Sequence, residues 1–487
     1  MAQSPSAAQD DLTGQYCQGG KTFGSSERVY LSLYFQMIQP QWPLLNQSQC
    51  QAWFARLETH GRCEFGYQTP IIFMICAVGA LFCSSFARNC PHLAGSIFLS
   101  QQSIADQADR SSPRSIARLL IQLLRVIYLL HQPDSETIND GFTTTAKDCR
   151  ELLKDVGWRL LNISDENTVS LQSEAGEDFN KDTLDAIITT AFTINEVVCS
   201  VWSIPGSGED GRLDQTLWDQ CARLMARRPL NPTASEHLLE VRCLQSEIRR
   251  FNRNTAHLAH GDARRATWRN NLKDRLDNWR GKISSVSDDT DASLNHHTQT
   301  MKKMYDYCLC NLFQEELLTL DGFRLDCVLR AASEACFSFR KIQENEAMIY
   351  FTCSAFRMGM ILLCCFWITD YYDRTPVYLS PETLEAIESC FDTLSRFTAR
   401  WPSAALWRDT FEIIASATPL IRLPGQKTPV FPAQLAPRLT QLREQLKKRH
   451  TADVSWFQVI SNGPVSEPSQ KSPQTPTLSE TPWADVA

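Results

Sequence analysis

No pair of cysteines in this chain stands at C-x-x-C spacing, although there are 18 cysteines in 487 residues. Structural zinc sites gather four ligands from short, regular spacings, so the sequence offers no candidate metal ligands. The closest cysteine neighbours, Cys308/Cys310 and Cys364/Cys365, fall inside helical pattern, where such positions point to different faces. None of the nine histidines forms an H-x-x-x-H pair beside a glutamate. A G-x-S-x-G elbow, a P-loop and an H-E-x-x-H helix are missing too, which removes the usual marks of hydrolases, nucleotide-binding enzymes and metalloproteases. No catalytic residue and no cofactor is expected.

An excess of positive charge is also lacking. The net charge is −7, so any contact with a polyanion must come from a local patch or from a partner. The segment from Met1 to Gly14 is polar, with Asp10 and Asp11, and has neither the basic start nor the apolar run of a secretory leader. The cysteines are therefore expected to be reduced, and Cys76, Cys353, Cys364 and Cys365 to act as small core hydrophobes. The sequons at Asn46 and Asn162 read as chance matches. Charge-free Ile71–Ala87 sits at the lower limit for a membrane span, roughly 17 residues, and apolar Met358–Ile368 is shorter. Both read as buried helices of a large α domain, with no membrane contact expected.

Period-2 alternation never persists, and no repeat of fixed period occurs. Helical spacing fills the space instead. Tyr30, Leu33, Tyr34, Met37 and Ile38 predict a helix that Pro40 and Pro43 stop. Further helices are predicted from Ser48, over Ile71–Ala87, Ile116–Leu130, Thr144–Leu160 and Leu184–Val201, and in long segments from Gln299 to Tyr372 punctuated at Gly322. Val241, Leu244, Ile248 and Phe251 mark one more, and Trp268, Leu272, Leu276 and Trp279 another. Ser380-Pro381-Glu382 has the cap and first-turn proline of a helix start. Leu435, Leu439, Leu442 and Leu446 outline a short amphipathic helix. Ile163–Lys181 reads as an acidic surface insertion and Ser284–Asn295 as a polar break. The fold class is all-α, with a multi-helix domain over residues 27–450 between disordered segments at 1–26 and 451–487.

Two patterns invite a functional reading. Gly206-Ser207-Gly208-Glu209-Asp210-Gly211 fits G-x-G-x-x-G, but Glu209 and Asp210 put negative charge where a pyrophosphate would sit, so a surface loop is expected. Residues 242–280 carry ten Lys or Arg against four acids, a local net charge of +6. Arg249, Arg250, Arg253, Arg264, Arg265 and Arg269 are the candidates for a phosphate-contacting face. The competing reading, a solvated outer face on two amphipathic helices, is preferred because the apolar residues keep helical register between the arginines. In the tail, Ser472-Pro473, Thr475-Pro476 and Thr481-Pro482 make Ser472, Thr475 and Thr481 candidates for proline-directed phosphorylation.

The stretch Tyr30-Leu31-Ser32-Leu33-Tyr34-Phe35-Gln36-Met37-Ile38-Gln39-Pro40-Gln41-Trp42-Pro43-Leu44-Leu45 resembles the opening of the fungal-specific transcription factor domain: a helix, a turn with two prolines three residues apart, then an apolar pair. Glu240–Ile248, the Leu276-Asp277-Asn278-Trp279-Arg280 segment, Ala331–Cys336 and the apolar Tyr350–Trp367 are similar to its later helices, in order. The resemblance spans residues 28–450. It implies a helical domain that serves regulation and dimerisation, not catalysis. Family members usually carry an N-terminal binuclear zinc cluster of six cysteines, whereas this chain has only Cys17 before the domain. The resemblance thus implies a nuclear regulator or co-regulator of a fungal metabolic gene set, such as a secondary-metabolite biosynthetic cluster. Its partners would be other transcription factors or a second copy of itself, with DNA reached indirectly. The alternatives are an enzyme with an unrecognised helical active site, a truncated zinc-cluster factor, and a membrane-associated protein using Ile71–Ala87.

Overall fold

The computed structural model describes residues 25–60, 67–83, 116–132, 141–165, 181–202, 209–226, 234–255, 262–284, 292–314, 317, 320–342, 348–370, 373–420, 431–448 and 460. Among them are fifteen α-helices and no strand, so the chain is all-α as its periodicity predicts. The candidate phosphosites Ser472, Thr475 and Thr481, Gly206–Gly208 and Cys17 lie outside the described residues.

The first helix, α1 (Ser25–Leu33), passes into a π-helical turn at Tyr34–Ile38 and stops before the two prolines. The Gln39 side chain closes the turn beyond it. Its Nε2 donates to the Leu45 carbonyl at 2.5 Å, and Leu45 N–H donates to its Oε1 at 3.3 Å. That clasp drives Trp42 and Leu44, each 1% exposed, into the core. Helices α2 (Gln47–His60) and α3 (Gln68–Ala80) follow. α3 is buried on every side, from Thr69 to Ala80, and is shorter than the predicted Ile71–Ala87. α1 crosses α3 at Gly79, where an added Cβ would lie inside the van der Waals radius of the Tyr30 carbonyl oxygen. A backbone atom cannot rotate away as a side chain can. Gly79→Ala is therefore expected to cost about 1–3 kcal/mol through overpacking, outweighing alanine's helix propensity of ~1 kcal/mol. A lowered urea midpoint checks this.

The chain continues through α4 (Ile116–His131), α5 (Gly141–Asp165), α6 (Lys181–Trp202), α7 (Glu209–Met225), α8 (Ala234–Thr255) and α9 (Ala263–Ser284). Then come α10 (Ala292–Phe313), α11 (Gly322–Arg340), α12 (Ile349–Ile368), α13 (Pro381–Arg400), α14 (Ala405–Ala417) and α15 (Ala436–Lys448). Local chemistry explains several starts. Asp321 caps α11 by accepting from Arg324 N–H at 2.8 Å, which fixes the break predicted at Gly322. Ser380 caps α13, accepting from Thr383 N–H at 3.3 Å with Pro381 in the first turn.

Helices adjacent in sequence mostly pack together: α3 on α4, α4 on α5, α10 on α11, α11 on α12 and α13. Longer-range packing closes the molecule, with α6 against α8 and α12, and α8 against α10. The buried residues form one continuous core from Tyr30 to Ile460, and Ile460, 1% exposed, falls inside the tail predicted from residue 451. α12 is the one described helix long and apolar enough to cross a membrane. It has 94% of its apolar window buried against its neighbours, which is what a central core helix requires. The sequence marked Met358–Ile368 as strongly apolar and Tyr350–Trp367 as an apolar helix; the observed Ile349–Ile368 extends the latter by one residue at each end, with Tyr350, Phe351, Cys353 and Phe356 buried as well.

Candidate functional site

α8 carries the predicted apolar stripe, with Val241, Leu244, Ile248 and Phe251 all buried. Its other faces are not solvated. Arg242, Gln245, Ser246 and Asn252 are also buried, so polar side chains on this helix need partners inside the protein. Asn252 reaches the Asn311 carbonyl on α10 and Gln245 reaches Ser200 on α6, while the arginines at the far end of α8 turn to α6 and α7. Arg249 donates from Nε and Nη2 to the two oxygens of Glu196 at 3.0 and 2.8 Å, and from Nη2 to Asp214 at 2.8 Å. Arg250 stacks over Trp218 at 4.7 Å and donates to Gln215 Oε1 and the Asp214 carbonyl. Arg253 lies 3.8 Å from the same carboxylate. Burial works against the charge on Arg249, but Glu196 and Asp214 hold its pKa above the ordinary value. Arg253 goes the other way, lowered by burial and by the nearby Arg249.

The remaining candidates on α9 point in different directions. Arg264 is exposed and forks onto Asp262 at 3.2 and 2.8 Å. Arg265 is 2% exposed, with its guanidinium 5.9 Å from the centre of the Phe251 ring. Arg269 is 5% exposed and 5.5 Å from the Phe313 ring, its pKa lowered by burial and by Arg324 and Arg265. Thus Arg249, Arg250 and Arg253 are brought together around Asp214, while Arg264, Arg265 and Arg269 are not part of that cluster. The six do not share one outward face, and the solvated-face reading fits α9, where Arg265, Arg269, Leu272, Leu276, Trp279 and Ile283 are the buried positions, but not α8. The counting of charge along 242–280 could not include Glu196 and Asp214, which lie outside that stretch.

A cleft opens beside the cluster, about 900 Å³ including its open mouth. Its walls come from the two-proline turn (Met37, Gln41, Trp42), Phe82, α6 (Val197, Ser200) and α8 (Leu238, Arg242, Gln245). The rest come from α10 (Lys303, Met304, Tyr307), Phe339, Ile342 and α12 (Tyr350, Phe351, Ser354). A line of hydrogen bonds joins it to the arginine cluster. Arg242 Nη1 donates to Gln245 Oε1 at 2.7 Å, Gln245 Nε2 to Ser200 Oγ at 2.9 Å, and Ser200 Oγ to Glu196 Oε1 at 3.1 Å. On the opposite wall, Arg357 donates to Tyr307 Oη at 3.1 Å and to the Ser200 carbonyl at 3.0 Å. Lys303 lies over the Phe351 ring at 4.7 Å. Burial pushes the Tyr350 phenol up to about 12, with Arg242 beside it pulling the other way.

Burial leaves several of the described thiols poorly suited to nucleophilic work. Burial raises Cys50, Cys199, Cys308 and Cys365 to about 12, far from the thiolate range. Among the described residues no three His, Cys, Asp or Glu side chains are grouped as a metal site. The carboxyl that titrates nearest neutrality, Asp306 at about 7, lies on α10 but does not line the cleft. Sequence reasoning overlooked Glu196, Asp214, Tyr307, Tyr350 and Arg357. One signal was available: Glu196 interrupts the apolar run Ile194-Asn195-Glu196-Val197-Val198, and a lone carboxylate there calls for a buried cation. No family model matches the chain, and no curated protein matches it.

Proposed function

We propose that the protein is a transcriptional regulator or co-regulator of a fungal metabolic gene set, a secondary-metabolite biosynthetic cluster, acting in the nucleus through protein partners. The observation that carries this reading is the packing between two segments of the resemblance to the fungal-specific transcription factor domain. The Leu276–Arg280 segment on α9 lies against the Glu240–Ile248 helix, and Trp279, 1% exposed, donates its Nε1 proton to the His237 carbonyl at 3.1 Å. The two-proline turn, with Trp42, Leu44 and Leu45 buried, belongs to the same continuous core. The route through partners is supported by the arginines. Arg249, Arg250 and Arg253 already share Glu196 and Asp214, so a DNA phosphate would have to compete with carboxylates held in place by the fold. Other transcription factors or a second copy of the chain would supply the DNA contact.

The test is gene deletion followed by transcript profiling. A coherent set of metabolic genes should change together, and the absence of any such set would end the regulatory reading. Occupancy of the affected promoters should then be lost when a partner zinc-cluster factor is removed. Sequence-specific binding of a duplex by the purified chain alone, at physiological salt, would overturn the route through partners.

A further inference from the structure

We infer that the cleft between α6, α8, α10 and α12 binds an organic monocarboxylate with an aromatic or medium-length aliphatic body, its carboxylate paired with Arg242. The starting observation is how the arginines around the cleft and at the edge of the core are satisfied. Arg249 has two carboxylates. Arg396 donates to the carbonyls of Ile342, Phe339 and Arg340, and Arg357 to Tyr307, Asn311 and the Ser200 carbonyl. Arg242 is more deeply buried, at 7% exposed: it hydrogen-bonds Gln245 Oε1 and the Tyr350 phenol, its Nε proton meets no acceptor, and among the described residues no carboxylate lies within ion-pairing distance of it.

Burying an unpaired charge is expensive, and the cost falls sharply when an anion supplies both the charge and the acceptor atoms. The carboxylates nearest in the network are committed elsewhere, since Glu196 and Asp214 hold Arg249. Gln245 fixes one nitrogen of Arg242 and is itself held by Ser200, so the guanidinium is positioned before any ligand arrives. A planar fork of this kind selects a planar, two-oxygen anion. The surrounding walls, with Trp42, Leu238, Met304, Phe339 and Phe351, select an apolar body. Tyr307 is held by Arg357 on the far side, which keeps the phenol ring in the wall. Lys303 also lines the cleft, but its ammonium lies over the Phe351 ring, 4.7 Å from the centroid, so Arg242 is the cation that offers a fork to one carboxylate.

The inference is tested on the purified full chain. Decanoate and 3-phenylpropionate are each titrated beside the matching primary amide, by calorimetry and by thermal shift, up to millimolar concentration at pH 7. The amide keeps the body and loses the charge. At least one acid should bind about tenfold or more tightly than its amide, as expected for a charge-assisted hydrogen-bonded pair, and should raise the melting temperature with concentration. Arg242→Met should fold with a melting temperature no lower than the parent, since it removes an uncompensated buried charge, and should lose the preference for the acid. Arg242→Lys, which keeps the charge without the fork, should bind the acid more weakly than the parent and offers the same comparison should the methionine variant fail to fold. Failure of both acids to bind, equal binding of acid and amide, or an unchanged acid preference in the Arg242 variants would each overturn the assignment. Binding is read on the protein alone, so its failure and the failure of the regulatory reading are separate results.

Discussion

Arg249→Met is expected to lower the unfolding free energy by about 3–5 kcal/mol, the range for removing one partner of a buried ion pair. Glu196 is 0% exposed, and with Arg249 gone it retains the Ser200 hydroxyl at 3.1 Å. A neutral hydroxyl does not offset the desolvation of a carboxylate. Asp214 loses less, because Arg250 and Arg253 remain within 3.5 and 3.8 Å of it. The two halves of the pair are therefore unequal. Glu196→Gln leaves Arg249 paired with Asp214 at 2.8 Å and is expected to cost less than Arg249→Met. The double variant Arg249→Met/Glu196→Leu, which removes both charges and fills the space with apolar atoms, should recover most of the loss. Urea denaturation followed by circular dichroism compares the variants. Equal losses from Arg249→Met and Glu196→Gln would mean that Asp214 does not share the guanidinium as the geometry indicates.

This cluster also marks where reading along the chain stops being informative. Periodicity located most of the helices because an amphipathic stripe is a local property: Val241, Leu244, Ile248 and Phe251 are close in sequence and face one side. Caps were legible for the same reason, since Ser380 and Pro381 act on their own first turn. Helix ends were less so. α5 extends to Asp165 and α6 starts at Lys181, both beyond the apolar positions that announced them, because polar residues continue a helix once packing has nucleated it. Glu209 and Asp210, predicted in a loop, lie in the first turn of α7. The direction of an arginine was not legible at all. Arg249 and Arg264 look alike in sequence, yet one is locked between Glu196 and Asp214 and the other is exposed against its neighbour Asp262. The difference comes from residues 53 and 35 positions away in the chain. The cleft was equally hidden, because its lining residues run from Met37 to Ser354 and no local pattern joins them.

Asp306 should make the protein less stable as pH rises, between roughly pH 4 and pH 7. Burial pushes its carboxyl up to about 7; Arg280 opposes this and Glu334 reinforces it. In the unfolded chain an aspartate titrates near 3.9. Between those two values the folded protein keeps a proton that the unfolded chain has released, so folding is favoured by acid. The contribution is complete below about pH 4, declines across the window, and is gone above about pH 7, where a buried carboxylate must be carried in the ionised form. Its upper bound is on the order of 4 kcal/mol, from about 1.4 kcal/mol per unit over about three units. Asp306→Asn keeps the shape and cannot ionise. The variant should show a flatter stability profile than the parent, with about a third of its gain already present at pH 5 and the full gain at pH 8. Denaturant midpoints at those two pH values are sufficient to decide the matter. Parallel profiles would place the carboxyl in a wetter setting than the packing of α10 against α9 and α11 implies. Glu334→Gln gives an independent check on the cause: removing the like charge should lower the Asp306 pKa and move the upper edge of the window towards acid, whereas an effect of burial alone would leave that edge where it is.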